Sequence, residues 1–286
     1  MQICKSLLCS VLPVMALAVE SSQAATIITF ADENVKALCV ANWDTDKDGE
    51  LSVEEAAAVT SLGTVFRGQK NITTFDELRY FSSVTAIGEE AFRGSGIGPV
   101  LTIPGKVKEI GSYAFNDCVR LKSVVLEEGV ESVGWHAFSG PIATLTLPSS
   151  LKNMRSMVIN PYVNADPSSG IFVPVGDLTV IVRGTEPAVI NEFAFYYVFQ
   201  EAHLVVPAGT MEAYKAEPGW AYFADYTEVG DCNRDGRTDI ADVAALVAHV
   251  TGNTPERFEE HAADINGDGR INGEDVSQLC QYLLGS

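Results

Sequence analysis

A chain of 286 residues that is 47% apolar can bury sizeable cores in more than one module. Only 20% of its residues are charged and its mean hydropathy is +0.11, which excludes a disordered polyampholyte. The formal net charge of −19 excludes nucleic acid or anionic lipid held through charge alone.

Residues 1–25 read as a secretory signal peptide. Lys5 precedes an apolar run over residues 7–19, and Ser22 and Ala24 supply small side chains for cleavage near Ala24. The run is short for a membrane span, so the expectation is a secreted or cell-surface chain without a transmembrane segment. Cys4 and Cys9 would leave with this leader. Cys39, Cys118, Cys232 and Cys280 would remain, an even number that permits disulfides without requiring them. A Cys232–Cys280 bond is conceivable, but four free, mostly buried thiols are expected.

Residues 26–62 carry an acidic loop between two helix-like segments, residues 34–41 and 54–59. Asp44, Asp46, Asp48, Ser52 and Glu55 fall at loop positions 1, 3, 5, 9 and 12, with Gly49 at the sharp turn and Glu50 offering its carbonyl from position 7. The segment resembles an EF-hand, which implies Ca²⁺. Four converging carboxylates would repel one another without a cation. An acidic helix cap without metal is the alternative. A loop standing alone suits one structural ion better than a cooperative pair.

From residue 63 a new rhythm begins. Ile87-Gly88, Ile110-Gly111 and Val133-Gly134 recur in steps of 23, as do Ala91-Phe92, Ala114-Phe115 and Ala137-Phe138. Each pair leads to a short alternating run, at residues 101–104, 124–126 and 145–148. One strand per unit of this length marks a solenoid, whose units bury their Ile, Phe and Leu side chains only by stacking. The motif resembles the bacterial surface-antigen type of leucine-rich repeat. An earlier, degenerate unit is expected over residues 72–81. Residues 151–176 break the rhythm, with an irregular loop at 160–170 marked by Asn160-Pro161 and Asp166-Pro167. A strand at 178–182 resumes it, and Ala194-Phe195 with residues 204–207 completes one more unit. Residues 211–215 and 220–223 resemble the terminal cap of that repeat family, closing a solenoid of residues 63–229.

Residues 230–286 hold one pattern written twice, 33 residues apart. Asp231, Asn233, Asp235, Asp239 and Asp242 occupy positions 1, 3, 5, 9 and 12 of the first copy, and Arg237 offers the position-7 carbonyl. Asp264, Asn266, Asp268, Asn272 and Asp275 occupy the same positions of the second, with Arg270 at position 7. A single such run can be an Asx turn; two complete copies, each followed by an apolar-periodic helix, make a stronger signal. The segment resembles a type I dockerin, which implies two Ca²⁺ ions and a cohesin-like protein partner. In that family partner choice rests largely on loop positions 10 and 11, here Ile240-Ala241 and Gly273-Glu274. The two pairs differ from each other and depart from matched Ser/Thr pairs.

The overall expectation is a mixed fold: a leucine-rich-repeat solenoid flanked by α-helical calcium modules. No catalytic constellation stands out. His136, His203, His249 and His261 are scattered, and Glu89-Glu90 and Glu127-Glu128 lie in repeat turns on a thin solenoid. The expected role is therefore non-enzymatic, an interaction protein. The alternative within that class is an accessory subunit of a polysaccharide-degrading, cellulosome-like assembly. Alternation along the repeat strands further predicts that Thr102, Val125, Thr146 and Ile181 align on an exposed sheet face, a candidate surface for a host-surface or glycan ligand.

Overall fold

The structure, a computed structural model, describes residues 25–160, 162–166, 171–174, 178–196, 202–221 and 223–285. The signal-peptide expectation lies outside the described residues. Six parallel strands form the spine, labelled β1 (Val100–Ile103), β2 (Ser123–Leu126), β3 (Thr144–Leu147), β4 (Thr179–Val182), β5 (His203–Val206) and β6 (Asp225–Glu228). They lie side by side in chain order, each paired in parallel with the next. Leu101, Val124, Leu145, Val180 and Leu204 therefore form one in-register row pointing inward, all buried.

A second parallel ribbon, Ala86–Ile87, Glu109–Ile110, Ser132–Val133 and Asn153–Met154, runs opposite this sheet. The repeated Phe stacks between them. Phe66, Phe92, Phe115 and Phe138 follow one another with centroids 4.9, 4.9 and 5.5 Å apart and rings nearly parallel. That spacing is close to the interstrand distance, so the ladder is set by the backbone stack itself. The Gly of each Ile-Gly pair has a steric cause. A Cβ on Gly111 would lie 2.7 Å from the Glu89 amide nitrogen, and one on Gly134 2.5 Å from that of Ser112.

The structure narrows the expected break at 151–176 to its later part. The stack continues through Asn153–Met154, and Phe138 pairs with Ile159. Glu90, Tyr113, His136 and Met157 share a left-handed backbone just before the buried pair, so Val158-Ile159 stands where earlier units have Ala-Phe. Tyr162–Asp166 and Ile171–Pro174 then form an antiparallel pair where an irregular loop was expected.

Both ends are sealed. At the N-terminal end, α1 (Glu33–Trp43) and α2 (Val53–Ala58) belong to the same continuous apolar core as the solenoid, through Val35, Cys39 and Leu51. Asp32 caps α1 and also accepts from the Thr73 amide at 2.5 Å and its hydroxyl at 2.7 Å. At the C-terminal end, α3 (Met211–Ala216) brings Tyr214 against Trp220, whose Nε1 donates to the Ala188 carbonyl at 2.8 Å. Beyond it, α4 (Ile240–Val250), α5 (Glu260–Ala263) and α6 (Gly273–Leu284) enclose a separate small core of Cys232, Ala245, Leu246, Ala263 and Leu279. Cys39, Cys118, Cys232 and Cys280 are free thiols. Among the described residues no helix is long and apolar enough to cross a membrane.

Candidate calcium loops and the cleft beside them

Residues 231–242 and 264–275 fold as two equivalent loops, each running into a helix through a capping box. Asp239 caps α4 with Asp242 reaching back, and Asn272 caps α6 with Asp275 reaching back. Both position-12 carboxylates are wholly buried. Asp242 accepts from the amides of Asn233 (3.0 Å) and Asp239 (2.8 Å), and Asp275 from those of Ile265 (2.9 Å) and Asn272 (2.8 Å). Each position-1 carboxylate turns inward and takes the amide of the loop glycine, Asp231 from Gly236 and Asp264 from Gly269, both at 3.0 Å.

The donor set suits a hard cation. Burial pushes the Asp231, Asp242 and Asp264 carboxyls above their ordinary range. One Asp264 oxygen, Oδ1, is buried without a hydrogen-bond partner among the described residues. A buried anionic oxygen left in that state is costly, and a cation at the loop centre would satisfy it. Carboxylate and carbonyl oxygens are the donors calcium takes, and the side chains expected to supply them are Asp231, Asn233, Asp235, Asp239, Asp242, Asp264, Asn266, Asp268, Asn272 and Asp275.

In the N-terminal loop, Asp44, Asp46 and Asp48 each bring a carboxylate oxygen within 4.8 Å of the others. Glu55 is held by the loop backbone, accepting from Thr45 (2.7 Å) and Ser52 (2.9 Å) amides, and these bonds hold its carboxyl down to about 2.

The dockerin-like tail does not trail away from the solenoid. Its second loop faces the outer side of the six-stranded sheet, leaving a cleft of about 730 Å³ between them. Thr102, Val125, Thr146 and Ile181 all line this cleft, with Arg183, Asp268 and Tyr282 among the residues opposite or beside them. The expectation of a uniformly exposed stripe is corrected here. Thr102 is exposed and Val125 and Ile181 are half-buried, but Thr146 is only 5% exposed. The same in-register row continues through Val205 and Thr227, both fully covered. A sheet face that is open at β1 is closed at β5 and β6.

The contacts that close it were not foreseen from sequence. Arg183 Nη2 donates to the Gly267 carbonyl at 2.8 Å and Arg234 pairs with Asp225; within the dockerin segment itself, Arg234 lies 3.4 Å from Glu259 and the Gly230 amide donates to the Ala262 carbonyl at 2.8 Å. Three of the four carboxylates in the Glu89-Glu90 and Glu127-Glu128 turns have structural partners. Glu90 pairs with Arg67 and Arg93, Glu127 accepts from the Gly105 amide, and Glu128 from the Ser149 amide and hydroxyl.

The candidate partner positions Ile240, Ala241, Gly273 and Glu274 are all exposed. Ile240, 74% exposed, shares one face of α4 with exposed Val247 and Val250, at offsets of two turns and one more.

Residues 229–284 match the type I dockerin domain. A dockerin of this type is a calcium-binding module that implies a protein partner, cohesin. Residues 59–161 match the BspA type leucine rich repeat region, in six copies, and the parallel stack of the solenoid agrees with it. The sheet extends past that match, through β4, β5 and β6. Among solved structures the chain is similar to a leucine rich cell surface protein from Faecalibacterium prausnitzii A2-165. The likeness is 17% in sequence, with a TM-score of 0.24, and covers 56% of this chain and 58% of that one. No curated protein matches the chain.

Proposed function

We propose that the chain is an exported, non-catalytic, calcium-binding interaction protein, with the solenoid holding one ligand and the dockerin docking onto a cohesin-like partner. The observation that carries this reading is the apolar stripe of Ile240, Val247 and Val250 left uncovered on α4 of a dockerin whose other side is seated on the solenoid. An apolar face beside exposed recognition positions is what a protein partner can cover. Two calcium ions belong to the dockerin loops. A third, structural ion belongs at Asp44, Asp46, Asp48, Ser52 and Glu55 with the Glu50 carbonyl, where it would hold α1 against α2. The solenoid's ligand is assigned to the cleft lined by Thr102, Val125, Thr146 and Ile181, and a glycan or host-surface protein segment suits its mixed hydroxyl and apolar lining.

The test is binding to a panel of purified cohesin domains by the full chain, with calcium and with chelator. Calcium-dependent binding abolished by Ile240→Asp supports the docking reading. Absence of binding to every cohesin, with the loops shown to be calcium-loaded, overturns it. Membership of a polysaccharide-degrading assembly is the narrower alternative, favoured if the bound cohesin comes from a scaffold that also carries hydrolases.

A further inference from the structure

Position 4 of a calcium loop contributes no ligand to the ion. In all three loops of this chain it nonetheless has the same left-handed backbone, at Lys47 (φ 63°), Arg234 (φ 56°) and Gly267 (φ 70°). Two of the loops carry a basic side chain there and the third carries none. The structure supplies the reason. Arg234 reaches out from the first dockerin loop to Asp225 on β6, the last strand of the solenoid. At the second loop the direction is reversed. Arg183, next after β4, reaches from the solenoid to the Gly267 carbonyl, 84 residues away in sequence. A Cβ on Gly267 would coincide with the Arg183 guanidinium. Glycine makes the room, and the solenoid provides the guanidinium that the first loop carries itself.

We propose that position 4 of both dockerin loops is the fastening point between dockerin and solenoid. Arg183 is a positioning residue for the second calcium loop, and calcium binding there and seating of the dockerin on the sheet form one linked equilibrium. Gly267 lies between Asn266 and Asp268, at positions 3 and 5, so fixing its carbonyl fixes the peptide planes that aim both ligand side chains. An acidic loop without its ion tends to spread, which draws Gly267 away from Arg183. Linkage then runs both ways: whatever holds the loop on the solenoid raises its calcium affinity, and calcium strengthens the hold. The guanidinium's positive charge opposes calcium, as do the basic side chains at the same position of the other two loops. The consequence reaches the cleft, because Gly267, Asp268 and Gly269 form one of its walls. The dockerin is thus a calcium-set part of the solenoid's surface rather than a bead on a tether.

The experiment uses the full chain and calcium alone as the probe. Binding is followed at the amides of Gly236 and Gly269, one in each loop, by nuclear magnetic resonance, and compactness by small-angle X-ray scattering. Two variants act from opposite sides of the contact: Arg183→Ala removes the guanidinium, and Gly267→Asn fills its space with a residue that accepts a left-handed backbone. Each should weaken calcium at the Gly269 amide about five-fold, the size of one hydrogen bond, and leave the Gly236 response unchanged. Each should also enlarge the calcium-bound chain in scattering. Unchanged affinity and unchanged dimensions in both variants would overturn the fastening. If neither amide of the unsubstituted chain responds to calcium, the calcium assignment fails, and the linkage with it.

Discussion

The solenoid and the dockerin solve the problem of stability in opposite ways. The solenoid has one apolar core running from Ile28 to Phe223, with four Phe rings stacked at the strand spacing. The dockerin's apolar core is one cluster of five buried side chains, two of them alanines, with the carboxylates of Asp242 and Asp275 also buried. Apolar stacking stabilises the first without help, because every added unit covers the last. The second concentrates anionic oxygens where they repel, so the expectation is that its folding free energy comes in large part from the ion. The difference in core size leads to one expectation: the fold of the small module is conditional on its ions.

The most direct way to break this comparison is to remove calcium. The dockerin should lose most of its helix in chelator while the solenoid keeps its strands, seen by far-ultraviolet circular dichroism. Thiol labelling locates the change. Burial pushes the Cys39 thiol up, Cys118 up to about 11 and Cys232 up to about 12, so at neutral pH all three resist alkylation in the folded chain. Chelator should open Cys232 while Cys118, deep in the repeat stack, stays protected. Protection of Cys232 in a verified metal-free sample would mean that the module's core holds without the ion.

The converse perturbation strikes the ring ladder. Phe115 stacks on both Phe92 and Phe138 and is wholly buried, so Phe115→Ala should cost about 3–5 kcal/mol. Urea unfolding in calcium should show the solenoid transition moving to lower denaturant while calcium still protects Cys232. A loss well under 1 kcal/mol would show that the ladder follows the backbone stack without stabilising it.

What could be read in advance follows from the same contrast. The repeat was legible because stacking forces each unit to repeat the same buried pair and the same tight glycine, as at Gly111 and Gly134. The dockerin was legible because calcium coordination fixes residue types at set spacings, written there twice. The unit carrying Val158-Ile159 was not, since any buried apolar pair fills that place and only the left-handed Met157 marks it. Nor was the seat of the dockerin on the sheet. Arg183 and Gly267 belong to no shared motif, and alternation along a strand says which face a side chain takes without saying what covers that face. Thr146 was therefore placed on the correct side of the sheet but wrongly left in solvent. The glycine at position 4 of the second loop, where the other loops have Lys47 and Arg234, was the one available signal.

That row of the sheet also gives the finest test of where the dockerin sits. Thr146 and Thr102 occupy equivalent positions, on β3 and β1, with Val125 between them in register. In a bare solenoid, lysine at either site would extend into water at similar cost. With the dockerin seated, Thr146→Lys must force a charge under cover or push the module away, a cost of about 1–3 kcal/mol. Thr102→Lys should stay within about 0.5 kcal/mol of the unsubstituted chain, as exposed changes do. Val125→Lys, half-covered, should fall between them. The sharper form of the measurement repeats all three in chelator. Once the dockerin is released, the Thr146 penalty should shrink toward that at Thr102, because both side chains then share the same open face. Equal costs at the two threonines in calcium would show that the cover over β3 does not persist in solution. A Thr146 penalty undiminished by chelator would place its origin in the solenoid itself.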